Sequence, residues 1–159
     1  MIVKRQKLNQ IMQALESVRN YPGVKFRYAY SKNLKMVIEE IEKSQELLTP
    51  SVEWEMLEKK RYELKIKYAK KIEGTDIPMI ENNSFIMTDL GAFKAEAIKM
   101  DEENKQLIME RSQVIEHYND LMEEDIDIPF HLIKESDVPE NINAGEYHDI
   151  QFMIEADVD

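Results

Sequence analysis

Cysteine is absent from the 159-residue chain, which excludes disulfides, thiolate metal sites and cysteine nucleophiles and fits a reducing compartment. Glycine is scarce, with four residues. None lies in a GxGxxG or GxxxxGKS/T arrangement, so no loop is patterned to cradle phosphate. Histidine is limited to His117, His131 and His148. No acidic residue stands three positions before any of them, and HExxH does not occur, so the spacings of a di-iron bundle or a zinc protease are missing. No serine sits in a nucleophile elbow. Apolar runs extend only a few residues, too short for a membrane span, and Met1 to Gln10 lacks a secretory apolar core. These absences lead us to expect a cytoplasmic protein without cofactor or metal and without enzymatic activity.

What the chain has in abundance is charge. Its 18.8 kDa suit one domain spanning residues 1–159. A hydrophobic fraction of 43% is too high for a disordered chain, while 33% charged residues and a mean hydropathy of −0.54 point to long amphipathic helices. The net charge of −11 disfavours generic binding to nucleic acid or anionic lipid. That charge is unevenly placed. Met1 to Gly74 carries 16 basic and 10 acidic residues, net +6, and Thr75 to Asp159 carries 5 and 22, net −17. The halves can pair with each other, the acidic half can dock on a basic partner, or the basic half can touch phosphate.

Leu8, Ile11, Met12, Leu15 and Val18 recur at helical spacing and predict a first helix over about 4–19, broken by Tyr21-Pro22-Gly23. Phe26, Tyr30, Leu34, Val37, Ile41 and Leu48 predict a second over about 24–49. Thr49-Pro50 reads as a cap and first helical position, so a tight turn leads into a third helix over about 50–73, ending near Gly74. Two short apolar runs around Asn82-Asn83 predict a hairpin with strands near 77–80 and 85–88. The most regular pattern follows: Phe93, Ala97, Met100, Asn104, Leu107, Arg111, Val114, Tyr118 and Leu121 form a heptad seam. A helix over about 90–124 would be roughly 52 Å long against roughly 36 Å for the third, so part of it needs another neighbour, such as the first helix or another subunit. Alternation over about 126–132 predicts an edge strand joining the hairpin. Asn143 is placed to cap a final helix over about 144–155, ahead of an acidic tail. The fold class is therefore α+β and mainly α: an antiparallel long-helix, coiled-coil-like bundle with a small antiparallel sheet.

If Trp54, Arg61 and Tyr68 occupy heptad position a, then Lys60 and Lys67 flank them, and Glu96, Glu103 and Glu110 flank the fourth helix. Antiparallel pairing sets Lys67 against Glu96 and Lys60 against Glu103, while Glu110 meets Glu53 uncompensated. Asn104, Arg61 and Arg111 at seam positions limit alternative registers; their other reading is contact with a partner. The lysines between Lys59 and Lys71 are interspersed with Glu63 and lack a base-stacking aromatic set, so nucleic-acid binding is not favoured. From Asp120 onward there are 13 acidic residues and one lysine, Lys134. This is either solvated surface or an acidic face for a basic site, as in a nucleic-acid mimic. The candidate interaction residues are Asn104, Arg111, Glu123, Glu124, Asp125 and Asp127.

The stretches KFRYAYSKNLKMVIEEIEK, KRYELKIKYAKKIEG, SFIMTDLGAFKAEAIKMDEE and DIDIPFHLIKESDVPENI, in that order over about Val24 to Ile142, resemble small uncharacterised helical proteins of tailed phages and prophages. The resemblance supplies no catalytic residue. It implies a setting, the host cytoplasm, and action by binding, in particle assembly or against a host system. Two functions follow as expectations. The first is a non-enzymatic interaction or assembly protein self-associating through its long helices. The second is an acidic regulator or inhibitor docking on a basic partner protein.

Overall fold

The computed structural model describes residues 1–155; the acidic tail beyond Glu155 lies outside them. The protein is α+β and mainly helical, with two two-stranded antiparallel sheets among the described residues. Its contacts cluster in two compact units, one of residues 1–48 and 116–159, the other of residues 49–115. We describe each by itself.

In the first unit, β1 (Ile2–Lys4) leads through a 3-10 turn at Arg5–Lys7 into α1 (Leu8–Ser17), and α2 runs Val24–Glu46. The expected first helix is thus shorter than 4–19, because Lys4 pairs in the strand, Arg5–Lys7 form the 3-10 turn, and the α-helix ends at Ser17. Their partner is β4 (Asp125–Asp127), with Ile2 opposite Asp127 and Lys4 opposite Asp125. This corrects the expectation for 126–132: the strand is shorter and joins the N-terminal segment rather than the hairpin. Gly23, at φ +110°, turns the chain after Pro22 into α2, a conformation that a side chain would strain. The last expected helix divides into α6 (Ala144–Asp149), capped by Asn143 Oδ1 accepting from Glu146 N–H at 2.9 Å, and a 3-10 turn at Gln151–Met153.

The core of this unit joins Leu8, Ile11, Leu15 and Val18 of α1 and its end to Phe26, Ala29 and Val37 of α2, and to Ile128, Phe130, Ile133, Ile150 and Met153. Leu15, Phe26, Val37, Ile150 and Met153 are fully buried. So is Asn33, and its amide replaces a strand partner. It accepts from His131 N–H at 2.7 Å and donates to His131 C=O at 3.0 Å, while Ile133 pairs on with Met153 and Glu155 through its own N–H and C=O.

The second unit contains α3 (Val52–Tyr68), β2 (Ile80–Glu81), β3 (Ser84–Phe85), α4 (Leu90–Glu103) and α5 (Lys105–Glu123) as far as Ile115. Ser51 caps α3, its Oγ accepting from Trp54 N–H at 3.2 Å, so the helix begins two residues after the expected Thr49-Pro50 start. It also ends before Gly74. Ala69 turns extended, because residues 69–72 are used by an arm in which Lys70 N–H bonds Ile86 C=O, Met79 N–H bonds Lys70 C=O, and Ile86 N–H bonds Met79 C=O. Three extended segments thereby satisfy one another's backbone groups. The hairpin turn is at Asn82-Asn83 as expected, with φ of 49° and 61° and Ile80 opposite Phe85, but its ladder is shorter than the predicted strands. The expected 90–124 helix is interrupted at Asn104, whose φ and ψ of −112° and 19° leave the helical region.

Candidate interaction site

The seam of the second unit is built by α3 running antiparallel to α4. Lys67 Nζ lies 2.8 Å from both carboxylate oxygens of Glu96, and Tyr68 Oη donates to the same carboxylate at 2.7 Å. Six residues earlier on α3, Arg61 donates to Asp101 Oδ1 from Nε at 3.2 Å and Nη2 at 2.7 Å, and to Glu58 at 2.8 Å. The register matches the Lys67 with Glu96 pairing read from the sequence. At the next position along it is Arg61, not Lys60, that takes the opposing acid, and the acid is Asp101.

These pairs shift the groups' proton affinities in consistent directions. Lys67 and then Tyr68 hold the Glu96 carboxyl below its ordinary pKa, and Glu96 in turn raises both Lys67 and Tyr68. Hydrogen bonding to Asp101 raises Arg61. The groups are exposed enough that such pairs fix register more than they stabilise.

At the other end of the seam the single tryptophan, Trp54, has the guanidinium of Arg61 5.5 Å and that of Arg111 5.8 Å from its ring centre. Both distances are within cation–π range. Beside the ring, Thr49, Ser51, Leu107, Glu110, Arg111 and Val114 line a cleft of about 190 Å³. Asn104 sits at the break between α4 and α5, its Nδ2 donating to Met100 C=O at 2.7 Å. Asn104 and Arg111 therefore serve the seam itself: one bonds its own helix and the other stacks on the facing one.

The four acidic candidates lie in the first unit. Glu123 receives Gln6 Nε2 at 3.2 Å and Lys4 Nζ at 3.6 Å. The Met1 amino nitrogen donates to Asp127 Oδ1 at 2.9 Å. Glu124 and Asp125 are exposed, and they contribute backbone rather than side-chain bonds, Glu124 C=O accepting from Arg5 N–H at 3.1 Å. The structure thus brings Glu123, Glu124, Asp125 and Asp127 together at the end of α5 and along β4, in a different unit from Arg111.

No sequence pattern points to the Arg5 cluster, in which Arg5 Nη1 lies 3.3 Å from Glu40 Oε2 and 3.5 Å from Ser44 Oγ. Lys43, and then Arg5, hold Glu40 below its ordinary pKa against the opposing effect of burial. A basic residue next to a strand turn carries no local signal of an acid 35 positions away.

Among the described residues no group of three or more His, Asp or Glu is placed to hold a metal ion, and no helix is long and apolar enough to cross a membrane. No family model, curated protein or solved structure matches the chain.

Proposed function

We propose that the protein is a non-enzymatic interaction or assembly protein that self-associates through its long helices, in the phage or mobile-element setting that the sequence resemblance implies. One observation carries this reading. Of the eighteen exposed large apolar side chains among the described residues, twelve belong to residues 49–115, where only Leu57, Leu64 and Ala69 are buried hydrophobics. A helical hairpin with so small a core leaves apolar surface that a second copy is suited to cover, as two hairpins do in a four-helix bundle. Charge favours the same occupant. Residues 49–115 carry 11 basic and 13 acidic residues, net −2, so two copies approach without strong repulsion.

Sedimentation analysis of the full chain across a wide concentration range tests the proposal. A mass rising above that of one chain is expected, reduced by Ile98→Glu or Met109→Glu on the exposed side of α4 and α5. A single-chain mass at the highest concentration would sink the reading.

A second reading draws on the other unit. Residues 1–48 and 116–159 hold 10 basic and 19 acidic residues, net −9, a charge suited to docking on a basic protein partner. Complex formation indifferent to ionic strength would remove its support.

A further inference from the structure

Within the first unit, a cleft of about 380 Å³ lies between the start of α2 and the segment that follows Phe130, a volume typical of small-molecule sites. The segment is anchored at both ends. The buried Asn33 amide holds both backbone groups of His131, and Lys25 Nζ donates to the two Asp137 carboxylate oxygens at 3.0 and 3.1 Å. Between these anchors Ile133, 5% exposed, is tied by its backbone to Met153 and Glu155. A wall fixed in this way needs little ordering to receive a ligand. Its lining is largely apolar: Val24 is 88%, Tyr28 52% and Leu132 47% exposed, and the Tyr28 ring meets that of His131 edge to face at 5.2 Å between centres.

Few charges surround the cleft. Lys25 and Asp137 neutralise each other. Lys32 lies outside the lining, its Nζ 5.6 Å from the centre of the Tyr28 ring, and Glu135 accepts from the Tyr147 hydroxyl at 3.0 Å. Two charged side chains of the lining have no side-chain partner among the described residues, the Lys134 ammonium and the Glu155 carboxylate. They do not pair with each other. The cleft thus offers one free cation and one free anion beside an apolar wall. An apolar acid would meet Lys134 but confront Glu155, and an apolar amine would meet the reverse. A molecule carrying both charges complements both groups.

We propose that this cleft binds an α-amino acid with an apolar side chain, its carboxylate at Lys134, its ammonium at Glu155 and its side chain against Tyr28 and Leu132. The site is independent of self-association, which uses residues 49–115. Each charge contact is solvent-exposed and contributes little alone. Selectivity comes from the joint requirement for two opposite charges and an apolar group, since a ligand lacking one leaves a like charge or a wet wall.

The experiment is titration of the full chain with L-phenylalanine and L-leucine, followed by amide chemical shifts. Saturable shifts are expected at Tyr28 and at residues 131–134. Phenethylamine, phenylpropionate and glycine, which lack the carboxylate, the ammonium and the side chain in turn, should each bind about fivefold or more weakly than phenylalanine. Lys134→Gln should make phenylalanine and phenethylamine bind alike, and Glu155→Gln should do the same for phenylalanine and phenylpropionate. A merely structural role for either residue would not move these ratios, and the unshifted remainder of the spectrum checks the fold. No saturation at millimolar phenylalanine or leucine, equal binding of the three analogues, or shifts confined to residues outside the cleft would overturn the proposal.

Discussion

Replacing Asn33 by alanine tests most directly how the first unit holds its irregular segment. Asn33 is fully buried and is the hydrogen-bond partner of both the N–H and the C=O of His131. Alanine removes both bonds and leaves a small void beside the His131 N–H and C=O. An orphaned polar group costs about 1–3 kcal/mol, and the deleted amide gives back only its own desolvation, so a net loss of about 2–4 kcal/mol is expected. For a chain of this size each kcal/mol lowers Tm by roughly 2–4 °C. Urea titration followed by far-UV circular dichroism measures the loss. Trp54, which lies in residues 49–115, separately monitors the other unit by fluorescence and should report a much smaller change. Hydrogen exchange at the His131 amide gives the local readout: its protection should fall more than that of the α2 core amides. Asn33→Asp keeps the acceptor for His131 N–H but sets a carboxylate against His131 C=O, so it should be no better than alanine. A loss below about 0.5 kcal/mol, the range of a neutral surface change, would refute the reasoning.

Two further predictions concern the helical seam. Leu57→Ala, at a 2% exposed site, should cost about 2–5 kcal/mol in melts followed by Trp54 fluorescence. Met56→Ala next to it, at 56% exposure, should stay within about 0.5 kcal/mol when measured at concentrations too low for association. Equal effects would mean that the α3 face is assigned the wrong way round. Because Lys67 and Tyr68 depress the Glu96 carboxyl, Glu96 contributes stability that is present above its unfolded-state pKa and lost as pH falls through the lower folded-state value. Acid titration of stability should accordingly flatten in this limb for Glu96→Gln. An unchanged acid limb would show that the three-residue cluster is not coupled to folding.

The sequence was legible where a pattern repeats. Period 3.6 located all the long helices, and the heptad seam predicted both the antiparallel partner of α3 and the Lys67 with Glu96 pair. Asn82-Asn83 marked the hairpin because two consecutive positive φ angles restrict the residues that fit. What failed was long-range and irregular. A three-residue strand at Ile2–Lys4 has too few positions to show alternation, and its pairing with Asp125–Asp127 spans most of the chain, so alternation alone points β4 to the nearer hairpin. Gly74 has the left-handed φ of +77° that suggested a helix end, yet the helix stops at Tyr68, because the backbone of Lys70 to Ile72 is claimed by the arm. The seam at Asn104 likewise read as unbroken, since heptad spacing continues through a residue whose backbone leaves the helix.

The charge asymmetry shows how sequence halves mislead when the fold does not divide at the same place. Cutting at Gly74 gives +6 and −17, but the compact units divide the charge as −2 and −9. The basic stretch Lys59 to Lys71 shares its unit with Asp76, Asp89, Glu96, Asp101 and their neighbours, so most of the apparent polarity cancels locally, with Lys67 on Glu96, Arg61 on Asp101 and Lys71 on Asp76 among its contacts. The remaining excess belongs to the unit that contains the end of α5 and β4. There Lys4, Gln6 and the Met1 nitrogen occupy Glu123 and Asp127, leaving Glu124 and Asp125 exposed. Local pairing therefore takes up Glu123 and Asp127 but leaves Glu116, Asp120, Glu124, Asp125, Glu140 and Asp149 exposed, so the acidic excess of this unit is spread over its surface rather than matched within it.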